Sequence, residues 1–197
     1  MRAFIIGNGP SRKDFDLKEL HNGYVYGCNA LYRDFWPDYL VAIDPKIISE
    51  IKESDFPSDR FIIPPEEEQW EPQDYRPGYR TRSNAGMNAC LEAIKQGADE
   101  LFLLGFDFVI ADKDVALGNL YDGTNGYEME TRTTFSDTIA RVKYFQWFAD
   151  KFPETTFYVV LPEETDVHPL YVNNVRGMYY KELEELCSNS KITKTKM

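Results

Sequence analysis

The sequence predicts an α/β fold, a doubly wound and mostly parallel Rossmann-like sheet with helices on both faces, and three observations predict it. Six short, continuously apolar runs bounded by turn residues lie at 3–6, 24–28, 39–43, 61–63, 101–104 and 157–161, the character of strands covered on both sides. Segments of helical period separate several of these runs, which is the alternation of a doubly wound sheet. A glycine turn, Gly7-Asn8-Gly9-Pro10-Ser11, follows the first run directly, where open α/β sheets place their ligands.

The helices follow in chain order. Short ones are expected at 13–20 and 45–52. The clearest runs over 85–96, where Met87, Cys90, Leu91 and Ile94 recur at three- and four-residue spacing and Gly97 is placed to end it. A second long helix is expected over 136–151, with Ile139, Val142, Tyr144, Phe145, Phe148 and Ala149 on its apolar side and Ser136 and Asp137 serving its first turn. A last short helix is expected at 178–187. Two stretches break the alternation. Residues 64–82 hold Pro64, Pro65, Pro72 and Pro77 with the acidic run 66–68, a surface excursion, and residues 107–134 form a long polar loop rich in Gly, Asn, Asp and Thr. We expect one domain over 1–187 and a polar, frayed tail over 188–197.

Composition narrows the function. With 22 Lys plus Arg against 33 Asp plus Glu, the formal charge is −11, so the average field repels nucleic acid and anionic membranes while a local basic pocket can still hold one phosphate. No run reaches the roughly 20 apolar residues of a membrane span. Cys28, Cys90 and Cys187 lack the paired spacing of a zinc site or a disulfide framework, and with His21 and His168 alone no multi-histidine metal centre is expected, so a reducing cytoplasm is the simplest setting. The aromatic content, 13 Tyr and 13 Phe, leaves room for a homo-oligomer interface.

The glycine turn carries the strongest local signal. Two glycines permit a sharp turn and close approach, and amides at a helix start can point at an anion; the same residues also suit an ordinary strand-to-helix turn. It is not the dinucleotide fingerprint, because the third glycine is missing and Pro10 removes an amide donor. Polar residues after the other strands converge on the same sheet edge: Asn29 after the second, Asp44 after the third, and Gly105-Phe106-Asp107 after the fifth. Arg82-Ser83-Asn84-Ala85-Gly86 offers a further helix entrance. Asp44 before Pro45 reads equally as a turn former.

These motifs, GNGPS, Asn29, the Ser-Asn-Ala-Gly entrance and the GFDF segment at 105–108, resemble the bacterial sialyltransferases of glycosyltransferase family 42 in order and spacing over roughly residues 2–108. The resemblance implies a Rossmann-like fold, no required metal, and a cytidine nucleotide held by the turn, the asparagine and the helix entrance. It also implies that Tyr121 and Tyr127 contact the donor phosphate, although both equally suit aromatic anchors of a solvent loop. The chain departs from that family in having no histidine between His21 and His168, so its general base does not carry over, and His168 beside Pro169 reads as a turn or surface residue. The layout also resembles the archaeal hydroxymethylpterin pyrophosphokinases, which implies magnesium and ATP.

Three readings follow. In the first, a nucleotide sugar is bound by Gly7, Asn8, Gly9, Ser11, Asn29, Ser83, Asn84, Ala85, Gly86, Gly105 and Phe106. Tyr121 and Tyr127 then face the departing phosphate, Asp107 or Asp122 serves as base, and no metal or other cofactor takes part. In the second, Asp107 with Asp44 or Asp112 holds magnesium against ATP phosphates. The third is a binding protein that keeps the pocket without the reaction. Arg80, Arg82 and Arg132 are the expected cations at the mouth.

Overall fold

Seven strands form the sheet: β1 (Arg2–Ile6), β2 (Tyr24–Cys28), β3 (Tyr39–Val41), β4 (Phe61–Ile62), β5 (Glu100–Leu104), β6 (Thr156–Leu161) and β7 (Val175–Tyr179). The computed structural model describes residues 1–194. Every pairing is parallel and the spatial order is β4-β3-β2-β1-β5-β6-β7. The chain therefore winds outward from β1 to β4, returns to the other side of β1 and winds outward again. That is a doubly wound, Rossmann-like α/β fold, with its topological switch between β1 and β5.

Alternation within each strand divides the core in two. Ala3, Ile5, Tyr26, Val41, Leu101, Leu103 and Val159 face one side, against α2 (Ala85–Lys95) and α4 (Phe135–Lys151). Phe4, Ile6, Val25, Leu40, Phe102, Leu104 and Val160 face the other, against α1 (Pro45–Glu53) and α5 (Tyr180–Lys194). Burial on both faces explains why these strands read as unbroken apolar runs. Phe102 anchors the second side, stacked on Tyr158 at 4.7 Å and tilted against Phe4 at 5.4 Å.

Several expectations are corrected. Residues 13–20 form no continuous helix. A 3-10 turn, Pro10–Arg12, ends just before this range and a second, Leu17–Glu19, stands within it, started afresh by Asp16, whose backbone is extended and whose carboxylate accepts from Lys18 N (3.0 Å). Met178 and Tyr179 belong to β7, and the final helix starts at Tyr180, where Glu182 accepts from Tyr179 N at 2.7 Å. No apolar run announced β7, because it pairs with β6 alone and its Arg176 and Gly177 are exposed. The long helix α4 is capped by Thr134 rather than Ser136, in a reciprocal box with Asp137. The helix α5 continues through Lys194, into the segment expected to be tail; residues 195–197 lie outside those described.

The two long loops are not featureless. Residues 64–82 carry a 3-10 turn (Glu66–Gln69) and a bridge between Trp70 and Arg82, and Tyr75 packs at 5.1 Å on both Tyr144 and Trp147 of α4. Residues 107–134 contain α3 (Lys113–Ala116), started by Asp112, which accepts from Asp114 N and Val115 N. Among the described residues no helix is long and apolar enough to cross a membrane.

Candidate functional site

At the switch point the loops after β1 and β5 are bound to each other. Gly7 N donates to Leu104 O at 2.8 Å and Gly9 N to Gly105 O at 3.0 Å. Gly105 has φ +70°, which favours glycine, and a Cβ on Gly7 would stand 2.6 Å from the Gly105 carbonyl oxygen. A Cβ on Gly9 would collide with the Asp107 carboxyl group. The glycine spacing is thus set by the approach of the two loops. Asp107 closes the join: one oxygen accepts from Ser11 N at 2.8 Å and the other from the Ser11 hydroxyl. Asp107 is 4% exposed, and burial pushes its carboxyl above the ordinary value against the pull of the Ser11 bonds.

A cleft of about 420 Å³ opens beside this join, at the carboxyl ends of the strands. Its first wall is a pair of asparagines. Asn8 Nδ2 donates to Cys28 O and to the Tyr127 hydroxyl, both at 3.2 Å, and Asn29 Nδ2 donates to Asp44 at 2.8 Å. The side-chain oxygens of both are buried without a hydrogen-bond partner in the protein. Asn29 has φ +49°, a left-handed conformation that asparagine tolerates better than most residues. The second wall is the start of α2. The Asn84 side chain accepts from Met87 N at 3.0 Å, which leaves the amides of Ala85 and Gly86 without an intrahelical acceptor.

The loop 117–128 makes the third wall and is fastened to its surroundings. Leu120 N donates to Asn8 O at 2.8 Å, and Gly118 and Gly126 pack on Pro10 and Ile47. Arg33 grips Glu50 through Nε and one terminal nitrogen, both at 2.7 Å, and reaches Thr124 Oγ1 (2.8 Å) and Asn125 O (2.9 Å). Asn125 Nδ2 returns to Glu50 at 2.6 Å, and Lys46 pairs with Glu128 at 2.5 Å. The bond from Arg33 holds the Glu50 carboxyl at about 2, well below its ordinary value. This fastening presents Tyr127 to the cleft, where burial pushes its hydroxyl up to about 12 and keeps it a donor at neutral pH.

The cleft gathers all the expected site residues except two. Gly7, Asn8, Gly9, Asn29, Ser83, Asn84, Ala85, Gly86, Gly105, Phe106, Asp107, Asp122 and Tyr127 line it. Ser11 does not, being turned to Asp107, and Tyr121 lies behind Tyr127 at 5.8 Å between ring centroids with Arg33 over its other side at 5.7 Å. Of the two aspartates expected as base, Asp107 is held on Ser11, while Asp122 accepts from Asn119 N at 3.1 Å and lies 3.6 Å from Arg132. Arg82 and Arg132 line the cleft; Arg80 stacks outside it on Trp70 at 4.4 Å. The sequence reading missed Arg141, which lines the cleft from the middle of α4, a position that helical periodicity had given no reason to single out.

Of the carboxylates named for magnesium, Asp44 and Asp107 line the cleft and Asp112 does not. Asp112 caps α3 away from the cleft, Asp44 accepts from Asn29, and both oxygens of Asp107 are taken by Ser11. Among the described residues no three His, Cys, Asp or Glu side chains gather into a metal-holding group. His168 lines a separate apolar pocket with Val109, Leu161 and Val175.

No family model matches the chain, and no curated protein matches it. Two solved structures are similar. One is a mutant of the alpha-2,3/8-sialyltransferase CstII, 17% identical, with a TM-score of 0.49 over 88% of this chain and 89% of that one. The other is the sialyltransferase CstII from Campylobacter jejuni in complex with a substrate analogue, cytidine-5'-monophosphate, 16% identical, with a TM-score of 0.46 over 90% of this chain and 88% of that one.

Proposed function

We propose that the cleft binds a nucleotide-activated sugar of the CMP-sugar type and that the protein transfers the sugar to an acceptor hydroxyl. One observation carries the reading: two asparagines with buried side-chain oxygens that lack protein partners line a cleft that also holds a helix start with free amides. The first pair accepts from a nucleobase amino group or a ribose hydroxyl; the amides receive a phosphate.

In this reaction the acceptor oxygen bonds to the anomeric carbon as the bond from that carbon to the phosphate oxygen breaks. The acceptor proton passes to a carboxylate, and the nucleotide leaves as its monophosphate. Both aspartates line the cleft, and Asp122 is the better placed for the proton, since both oxygens of Asp107 are committed to Ser11. Tyr127 donates to the departing phosphate. The pairing of Asp122 with Arg132 favours a second reading, binding without turnover, because the guanidinium engages the carboxylate that would have to take the acceptor proton.

Melting curves with cytidine, uridine, adenosine and guanosine monophosphates test the binding. At 100 times its dissociation constant a ligand adds about 2.7 kcal/mol, or roughly 5–10 °C for a domain of this size. If all four leave the curve unmoved, the reading fails. A shift with CMP followed by release of CMP from a CMP-sugar supports the transferase; a shift without release identifies the binding protein.

A further inference from the structure

Of the three arginines that line the cleft, Arg132 alone has a carboxylate partner among the described residues. Arg82 donates to the Ile43 carbonyl and to Gln69 (3.2 Å), and Arg132 to Leu117 O (2.9 Å) while facing Asp122. Among the described residues Arg141 makes no ion pair, and its hydrogen bond runs from one terminal nitrogen to Thr133 Oγ1 at 3.2 Å. The two carboxylates whose fields reach it are engaged elsewhere. Asp137 accepts from Thr134 N (2.9 Å) and from the Thr134 hydroxyl (2.7 Å), and Asp44 accepts from Asn29 (2.8 Å).

Desolvation outweighs both fields and draws the Arg141 pKa below the ordinary guanidinium value. A guanidinium nevertheless remains charged at every pH the fold survives, so it cannot escape the cost by losing its proton. An ion held partly out of water without a counter-charge destabilises a fold. Such a residue is explained when the balancing charge arrives with a ligand. Two further features of the same cleft point to a ligand: the open amides at the start of α2, and Asn29, 8% exposed with an unpartnered oxygen.

We propose that Arg141 is the anion-binding residue of the cleft and takes the acidic group of the ligand, a phosphate or a carboxylate on the sugar. The identity of the ligand rests on the nucleotide-sugar reading above; the charge argument requires only an anion. A fork of parallel donors fits either group.

Calorimetric titration of the wild type, Arg141→Gln and Arg141→Lys with inorganic phosphate, glucuronate, cytidine and CMP tests it. Arg141→Gln is expected to weaken phosphate or glucuronate at least about tenfold, with Arg141→Lys intermediate, and to leave cytidine unchanged. Loss confined to phosphate and CMP identifies the phosphate as the partner, and loss confined to glucuronate identifies the sugar carboxylate. The melting temperature of unliganded Arg141→Gln should equal or exceed that of the wild type, since the change removes an unbalanced charge. The proposal is overturned if the wild type binds neither anion up to about 10 mM, if Arg141→Gln binds both within twofold of it, or if the variant melts well below it. Failure of cytidine and CMP alone, with phosphate still bound through Arg141, instead removes the nucleotide reading.

Discussion

Replacing Asp107 separates a brace from a base. Its two oxygens take the amide and the hydroxyl of Ser11, tying the loop after β5 to the loop after β1. Asp107→Ala leaves a buried amide without an acceptor and removes a charge-assisted bond, a loss of about 2–3 kcal/mol, or about 4–12 °C in melting temperature. Asp107→Asn keeps one oxygen for Ser11 N, and its amide group can donate to the Ser11 hydroxyl, which rotates to accept. It also removes a buried charge, so a shift below about 1 kcal/mol is expected.

The sign of the pH dependence follows from burial, which raises the folded pKa of Asp107 above its unfolded value. A group so shifted contributes stability that is present below the unfolded pKa and is lost as pH rises through the folded one. The difference between wild type and Asp107→Asn should therefore favour the wild type more in acid than at neutral pH. Urea unfolding of both proteins between pH 3 and 7 (values that bracket the carboxylate range) measures it. An Asp107→Asn protein that melts like the wild type, binds nucleotide as well, yet has lost turnover by a hundredfold or so would refute the brace and restore Asp107 as the base.

Asn29→Ala removes the unpartnered acceptor of a residue that lines the cleft and should weaken nucleotide binding at least tenfold, about 1.4 kcal/mol, by titration. Unchanged affinity removes Asn29 from the site. Glu50→Gln should loosen the loop 117–128 from Arg33, read as faster proteolysis of that loop and weaker nucleotide binding. Because Arg33 lowers the Glu50 pKa from 4.5 to about 2, the stability Glu50 contributes is present above pH 4.5 and lost as pH falls toward 2. Acid unfolding of the variant should lack that limb. Nucleotide binding should survive EDTA, because Asp44 is engaged by Asn29, Asp107 by Ser11, and Asp112 caps α3 outside the cleft lining; a strict magnesium requirement would return the pyrophosphokinase reading.

Residues whose role is written in local pattern were legible in the sequence. The strands buried on both faces read as apolar runs because each side chain meets a layer, and α2 declared itself through Met87, Cys90 and Ile94 and the glycine behind it. The cleft was legible for the same reason: parallel strands put their carboxyl ends on one edge, so whatever follows them in sequence meets in space. What only the tertiary structure decided is how each polar group is spent. Asp107 and Asp122 look alike in sequence and both line the cleft, but one is bonded to Ser11 and the other stands beside Arg132. Tyr121 and Tyr127 lie six residues apart, and only the second faces the cleft. β7 escaped notice because an edge strand with one neighbour needs no apolar run, and Arg141 because a helix period marks the buried side without saying which cavity its flank meets. Local sequence sets backbone shape and burial; a partner's position depends on segments about a hundred residues away, as the 96-residue separation of Ser11 and Asp107 shows.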